Sequence, residues 1–219
     1  MIKGNTNGIK EYMLNELEEI HDIKTEKGSL ANIDIINKIV EVTSKINREI
    51  CVAINRKGSV IGISIGDSNT ASLPIIDTSK SKLSGVRIIH THPNSSAKLS
   101  NVDISALQAM RLDVISAIGI TDDKITGVSL GFCKFIDGEL SYEESPILTI
   151  DEIESMDLSG KYEKIEKEFR ENEIKEDNLE RAIIVGIDTE ESLNELKELA
   201  DACDIKVIEK VLQKKNQVD

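Results

Sequence analysis

The stretch SGVRIIHTHPNSSAKLSNVD, residues 84–103, decides the fold of this 219-residue chain and contains most of its candidate site residues. Val86, Ile88 and Ile89 are apolar and β-branched, which predicts a strand over 84–89 that ends directly at His90. Residues 102–110 carry apolar side chains at helical spacing and predict a helix. The polar segment between them can fold back over the end of the strand. The histidines and the start of the helix should therefore meet at one edge of a sheet.

Further elements follow from the hydrophobic pattern on both sides of this stretch. Helices are predicted at 9–20 and 32–46, and strands at 49–54, 60–65, 114–120 and 127–136. Because strands and helices alternate loosely, the sequence predicts an α/β fold in which a mixed sheet is flanked by helices.

Composition limits the class of protein. The chain is 39% hydrophobic and 31% charged, which is typical of a soluble globular protein. No apolar run reaches the roughly 20 residues of a membrane span. The first residues are polar and lack a signal core. Its three cysteines, Cys51, Cys133 and Cys203, are widely spaced and form no CxxC pair. We therefore expect a reduced, cytoplasmic protein without a membrane partner.

Charge is distributed unevenly along the chain. The net charge is −13, and residues 139–180 alone contribute −10, with 15 acidic and 5 basic residues. Neither this segment nor the remainder is basic enough to bind nucleic acid nonspecifically through phosphates, so no DNA partner is expected. An acidic segment of this kind is usually a solvated helix face.

The changes in composition predict three regions. Residues 1–150 form the α/β domain, and residues 151–179, in which Glu and Lys dominate, form an acidic, solvated helical connector. Residues 180–219 contain strand, helix and strand patterns, with a capping box beginning at Asp188. This βαβ unit should have parallel strands. Because two strands leave most of a sheet exposed, we expect further strands to follow Asp219, and the unit to be incomplete.

Two histidines two residues apart suggest a metal site. Because residues two apart on an extended chain point to the same face, His90 and His92 can reach one ion, and Asp103 lies near the start of the following helix. Two His and one Asp form a three-ligand zinc set that leaves a fourth position for water. Ser100 could donate a hydrogen bond to a developing oxyanion. The alternative is a polar loop in which Ser100 only caps the helix.

Other histidine-based metal sites fit the sequence less well. Zinc deaminases combine HxE with a later PCxxC, and this chain has no such cysteine pair. Amidohydrolase barrels also use HxH, but they need a chain of roughly 250 residues and further ligands. The remaining histidine, His21, has a polar context and is interpreted as a surface residue.

The pattern HxHPx6SxxD, from His90 to Asp103, resembles the motif of JAMM (MPN-plus) metalloproteases and of the related RadC-type domains. The resemblance covers about residues 45–140. It implies a zinc-dependent hydrolase of peptide or isopeptide bonds, in which a glutamate on an earlier strand is the general base. Glu49 occupies the corresponding place in this sequence.

Other segments resemble the N-terminal region of long HflX-type GTPases, which associate with the large ribosomal subunit. They are Gly4–Gly8, Ile46–Glu49, Gly66–Asn69, Arg181–Asp188 and Val211–Lys215. This resemblance implies that the chain is an N-terminal fragment of such a protein, which would contact the ribosome through its full length. A GxxxxGK[ST] phosphate loop is absent from the sequence, so GTP is not expected to bind this fragment.

Two functions therefore remain open. One is a zinc-dependent amide or isopeptide hydrolase module. The other is a noncatalytic interaction module that helps an HflX-type GTPase to bind the ribosome. The metal content of the purified protein distinguishes between them.

Overall fold

The computed structural model describes residues 2–66, 82–177, 180–186 and 189–213, without the side chains of 173–177. The chain divides into two compact units, Met1–Arg170 and Glu171–Asp219. Residues 67–69 and Asp188, which the sequence analysis singled out, lie outside the described residues.

The first unit is built on a seven-stranded mixed sheet with the order β1-β3-β2-β4-β5-β6-β7. Its strands are β1 (Lys3–Gly4), β2 (Glu49–Asn55), β3 (Val60–Gly66), β4 (Val86–Pro93), β5 (Val114–Thr121), β6 (Lys124–Ile136) and β7 (Glu139–Glu144). The β1–β3 and β4–β5 pairs are parallel, and the other neighbours are antiparallel. The prediction of an α/β fold with a mixed sheet is confirmed.

Helices flank this sheet. They are α1 (Glu11–Glu18), which continues as a 3-10 turn (Glu19–Asp22), α2 (Ile33–Ile46), α3 (Asn101–Ala109), α4 (Ile150–Glu154) and α5 (Ser159–Asp177). Helix α2 begins at its N-cap Asn32, whose side chain accepts a hydrogen bond from Asp34 N, and ends at Asn47 in the left-handed conformation. Its apolar face is buried in the core, as its sequence pattern predicted.

Strand β4 is longer than predicted. It continues through both histidines to Pro93, because β5 pairs with it in parallel along its length, with His90 opposite Ala117 and His92 opposite Gly119. The prediction that the strand ends at His90 is therefore wrong. Sequence alone did not indicate this, because the pairing partner extends the strand beyond its apolar run.

The segment expected to be a solvated connector is packed on the first unit over its first half. The side chains of Ile153, Leu158, Tyr162, Ile165 and Phe169 are all buried in the core. In α5 and the residue before it, four of these lie three or four residues apart and form a single stripe. Because acidic residues dominate the composition, the sequence predicts a solvated helix, whereas the structure buries this sparse apolar stripe.

The second unit is a βαβ unit, as predicted. Strand β8 (Arg181–Gly186) pairs in parallel with β9 (Lys206–Leu212), and α6 (Glu190–Ala202) connects them. The N-cap of α6 is Thr189, whose hydroxyl accepts a hydrogen bond from Ser192 N, one residue later than the predicted cap. Within the described part of the chain, none of the helices is long and apolar enough to cross a membrane.

Thr91, between the two histidines, joins three elements on the other face of β4. Its Oγ1 atom accepts a hydrogen bond from Ile50 N at 2.9 Å and lies 2.7 Å from the hydroxyl of Thr43 on α2. Both threonine side chains are fully buried. One buried hydroxyl therefore fixes β2 and α2 to the strand that carries the histidines.

We expect Thr91→Val to lower the free energy of unfolding by about 1–3 kcal/mol, because it leaves the Ile50 amide and the Thr43 hydroxyl buried without this partner. Urea unfolding followed by circular dichroism measures the change. Thr121→Val, at an exposed position of β5, is the matched control and should change stability by less than about 0.5 kcal/mol. Equal losses in the two variants would contradict this role of Thr91.

Candidate metal centre

The sheet places the candidate site residues on one face. His90 and His92 are two residues apart on β4 and share that face. Cys51 on β2 is the partner of His90 in the antiparallel register, so Glu49, two residues before Cys51, faces the same side. The strand register thus brings the predicted general base to the histidine side of the sheet.

The three predicted ligands converge on one point. The Nε2 atoms of His90 and His92 are 2.9 Å apart, and His90 Nε2 lies 3.2 Å from Asp103 Oδ1. The three residues each offer a ligand atom within 4.8 Å of the others. In a tetrahedral zinc site with bonds of about 2.0–2.1 Å, ligand atoms lie roughly 3.3 Å apart. The observed spacing therefore fits a single ion without large rearrangement.

His92 is oriented by a backbone carbonyl. Its Nδ1 atom lies 3.0 Å from Ser96 O, a contact that places the proton on Nδ1 and leaves the Nε2 lone pair directed at His90 and Asp103. Burial, and then the neighbouring His90, lowers the pKa of His92 below its ordinary value. The imidazole is therefore neutral at pH 7, which is the form that binds a metal.

Asp103 is oriented by the start of its own helix. Ser100, the N-cap of α3, donates from its backbone N and from its Oγ to Asp103 Oδ2, both at 2.7 Å, and Ser100 Oγ accepts from Asp103 N. This capping box leaves Oδ1 directed at His90. Although burial acts in the opposite direction, the hydrogen bonds from His90 and Ser100 lower the pKa of Asp103. The carboxylate is therefore ionised at neutral pH.

Ser100 caps α3, the role that the sequence offers as the alternative to a metal site. In the structure the cap and the candidate ligand are parts of one arrangement, because the hydroxyl that caps α3 also holds Asp103 in place. To donate to an oxyanion, as the sequence predicted, the Ser100 hydroxyl would have to turn away from Asp103.

All five predicted site residues line one cleft of about 540 Å³. They are Glu49, His90, His92, Ser100 and Asp103. Arg48 and the exposed Lys98 also line it, so the cleft carries positive side chains in a chain of net charge −13. Cys51 lies in the same lining, but burial raises the pKa of its thiol to about 12, and it remains a protonated core residue.

Sequence reasoning missed Gly119, which lies opposite His92 on β5. A Cβ atom there would lie 2.5 Å from Ala97 N and 2.9 Å from the carbonyl carbon of Ser96. Only glycine lets this loop cross the strand closely enough for Ser96 O to meet His92. A glycine inside a strand pattern is the signal that could have indicated a close backbone approach.

No family model, curated protein or solved structure matches this chain. The fold and the site define it as an α/β protein with a candidate metal centre of two histidines and one aspartate.

We expect Gly119→Ala to weaken zinc binding by about 10- to 100-fold, because the new methyl group displaces the carbonyl that orients His92. Competition with a chromophoric chelator measures the affinity. The matched control is Gly160→Ala in α5, where a Cβ would meet nothing within 4 Å. Unchanged zinc affinity in Gly119→Ala, with the fold intact by circular dichroism, would contradict the role assigned to the Ser96 loop.

Proposed function

We propose that the first unit is a zinc-dependent hydrolase of amide or isopeptide bonds. The observation that carries the proposal is the convergence of His90, His92 and Asp103, with Glu49 lining the same cleft. A carboxylate beside an open metal position is the arrangement that hydrolytic zinc sites need.

The donor set favours zinc. Two imidazole nitrogens and one carboxylate oxygen suit zinc better than magnesium or calcium, which prefer oxygen ligands. Three protein ligands also leave one tetrahedral position open, as in catalytic rather than structural sites. When bound, zinc would lower the pKa of a coordinated water and polarise the carbonyl of the substrate.

The residues of the chain would divide the remaining chemistry between them. Glu49 accepts a proton from the attacking water and later donates it to the leaving amine. The backbone N of Ser100 continues to hold Asp103 while the Ser100 hydroxyl rotates and donates a hydrogen bond to the tetrahedral oxyanion. His90 and His92 hold the ion, and Ser96 O keeps His92 in the required tautomer.

The wider setting of this module is proposed from the sequence resemblance. We place it in the N-terminal region of a cytoplasmic, ribosome-associated GTPase of the HflX type. A second candidate function is a noncatalytic module that helps such a protein to bind the large ribosomal subunit. The exposed apolar side chains on the second unit, among them Ile183, Val185, Leu199 and Ile208, favour an interaction role.

A variant series tests the hydrolase proposal. A screen with short peptides and isopeptide-linked conjugates first identifies a cleaved substrate. Glu49→Gln should then retain zinc but lose roughly 10²-fold or more in rate, because the glutamine cannot accept a proton. His90→Ala should lose both zinc and rate. Glu154→Gln, an exposed carboxylate on α4, is the matched control and should change neither.

Wild-type rates in Glu49→Gln would show that the base assignment is wrong. A chain that holds zinc through His90 but cleaves none of the substrates would instead favour the noncatalytic module.

A further inference from the structure

A second cavity, of about 260 Å³, lies on the opposite face of β4. Arg87 lies three residues before His90 on β4. Because side chains alternate between the two faces of a strand, Arg87 points away from the metal centre. Its lining includes Lys27, Arg56, Arg87, Tyr162, Glu163 and Glu166. This cavity and the metal centre are therefore separate.

Arg87 is an arginine with an incomplete set of hydrogen bonds. It is only 2% exposed. One terminal nitrogen donates to Asn55 O at 3.0 Å and the other to Ser29 O, and both acceptors are uncharged carbonyls. Its Nε atom is buried and has no hydrogen-bond partner among the described residues. A buried guanidinium of this kind lacks an acceptor that it would ordinarily have.

The carboxylates of Asp113 and Glu166 are already occupied by Arg56. Arg56 donates from Nε to one Asp113 oxygen at 2.6 Å and from a terminal nitrogen to the other at 2.9 Å. Its remaining nitrogen contacts Glu166 at 2.7 Å. Arg56, Asp113 and Glu166 together carry one surplus negative charge, which balances the charge of Arg87. In the described part of the chain, however, neither carboxylate accepts a hydrogen bond from Arg87.

Tyr162 presents a second unsatisfied donor in the same cavity. The residue is 7% exposed, and its buried hydroxyl interacts with the Arg87 guanidinium, which can only donate to the hydroxyl oxygen. Its O–H hydrogen has no acceptor within the described ranges. Burial raises the pKa of Tyr162, so the hydroxyl stays protonated at neutral pH. Two buried donors in one cavity carry a desolvation cost that an acceptor from outside would relieve.

We propose that this cavity binds a small oxyanion, the carboxylate or phosphate group of a small molecule, whose oxygens accept hydrogen bonds from Arg87 and Tyr162. The planar guanidinium fork suits both groups. The exposed Lys27 adds a favourable charge at the rim, and the exposed Glu163 adds an unfavourable one. The cavity volume limits the ligand to a small molecule.

Calorimetric titration of the metal-free full chain with inorganic phosphate, and separately with acetate, tests the proposal at low ionic strength. We expect saturable binding of at least one anion with a stoichiometry of one. Lys27→Gln should weaken it about threefold and Glu163→Gln should strengthen it by a similar factor, since each removes one exposed charge near the anion. His92→Ala should bind as the wild type does, which separates this site from the metal centre.

Arg87→Gln should abolish binding while circular dichroism shows a retained fold. If that variant does not fold, the opposite effects of Lys27→Gln and Glu163→Gln still decide the question. Binding of phosphate alone indicates a phosphorylated ligand, of acetate alone a carboxylate, and of both a general oxyanion site. Absence of saturable binding by either anion, or binding that neither exposed variant alters, would overturn the proposal.

Discussion

The parallel pairing of β4 with β5 is the constraint on which the candidate site depends. It keeps β4 extended through both histidines, so that their side chains share one face and Thr91 is buried on the other. It also places Gly119 opposite His92. Because Gly119 has no side chain, the loop that follows β4 can pass close to β5 at Ser96 and Ala97. Sheet geometry thus brings two ligands together and positions the carbonyl that orients one of them.

Local helix chemistry supplies the third ligand. A capping box usually stabilises the start of a helix by roughly 0.5–2 kcal/mol. Here the same hydrogen bonds occupy one oxygen of Asp103 and leave the other beside His90. The same contacts therefore stabilise the start of α3 and orient the Asp103 carboxylate, so that this metal ligand is in position before an ion binds. Such preorganisation is what a functional site needs from its supporting residues.

Most of the fold could be predicted because its central elements have clear patterns. The hydrophobic patterns of helix α2 and of strands β2, β3 and β5 predict these elements directly. The HxHPx6SxxD spacing indicated the three ligands. The parts that could not be predicted depend on partners distant in sequence. Strand β4 extends past His90 because β5 pairs with it, the sparse stripe of α5 is buried because a core lies beneath it, and the role of Ser96 depends on Gly119.

Zinc binding by the intact chain tests the central claim most directly. Equilibrium dialysis against zinc, followed by elemental analysis, compares the wild type with His92→Ala at neutral pH. The account predicts one zinc per wild-type chain and a large loss in the variant, because His92 supplies one of the three ligands that the described residues bring together. Equal zinc in both proteins, or none in either after zinc is supplied, would contradict it.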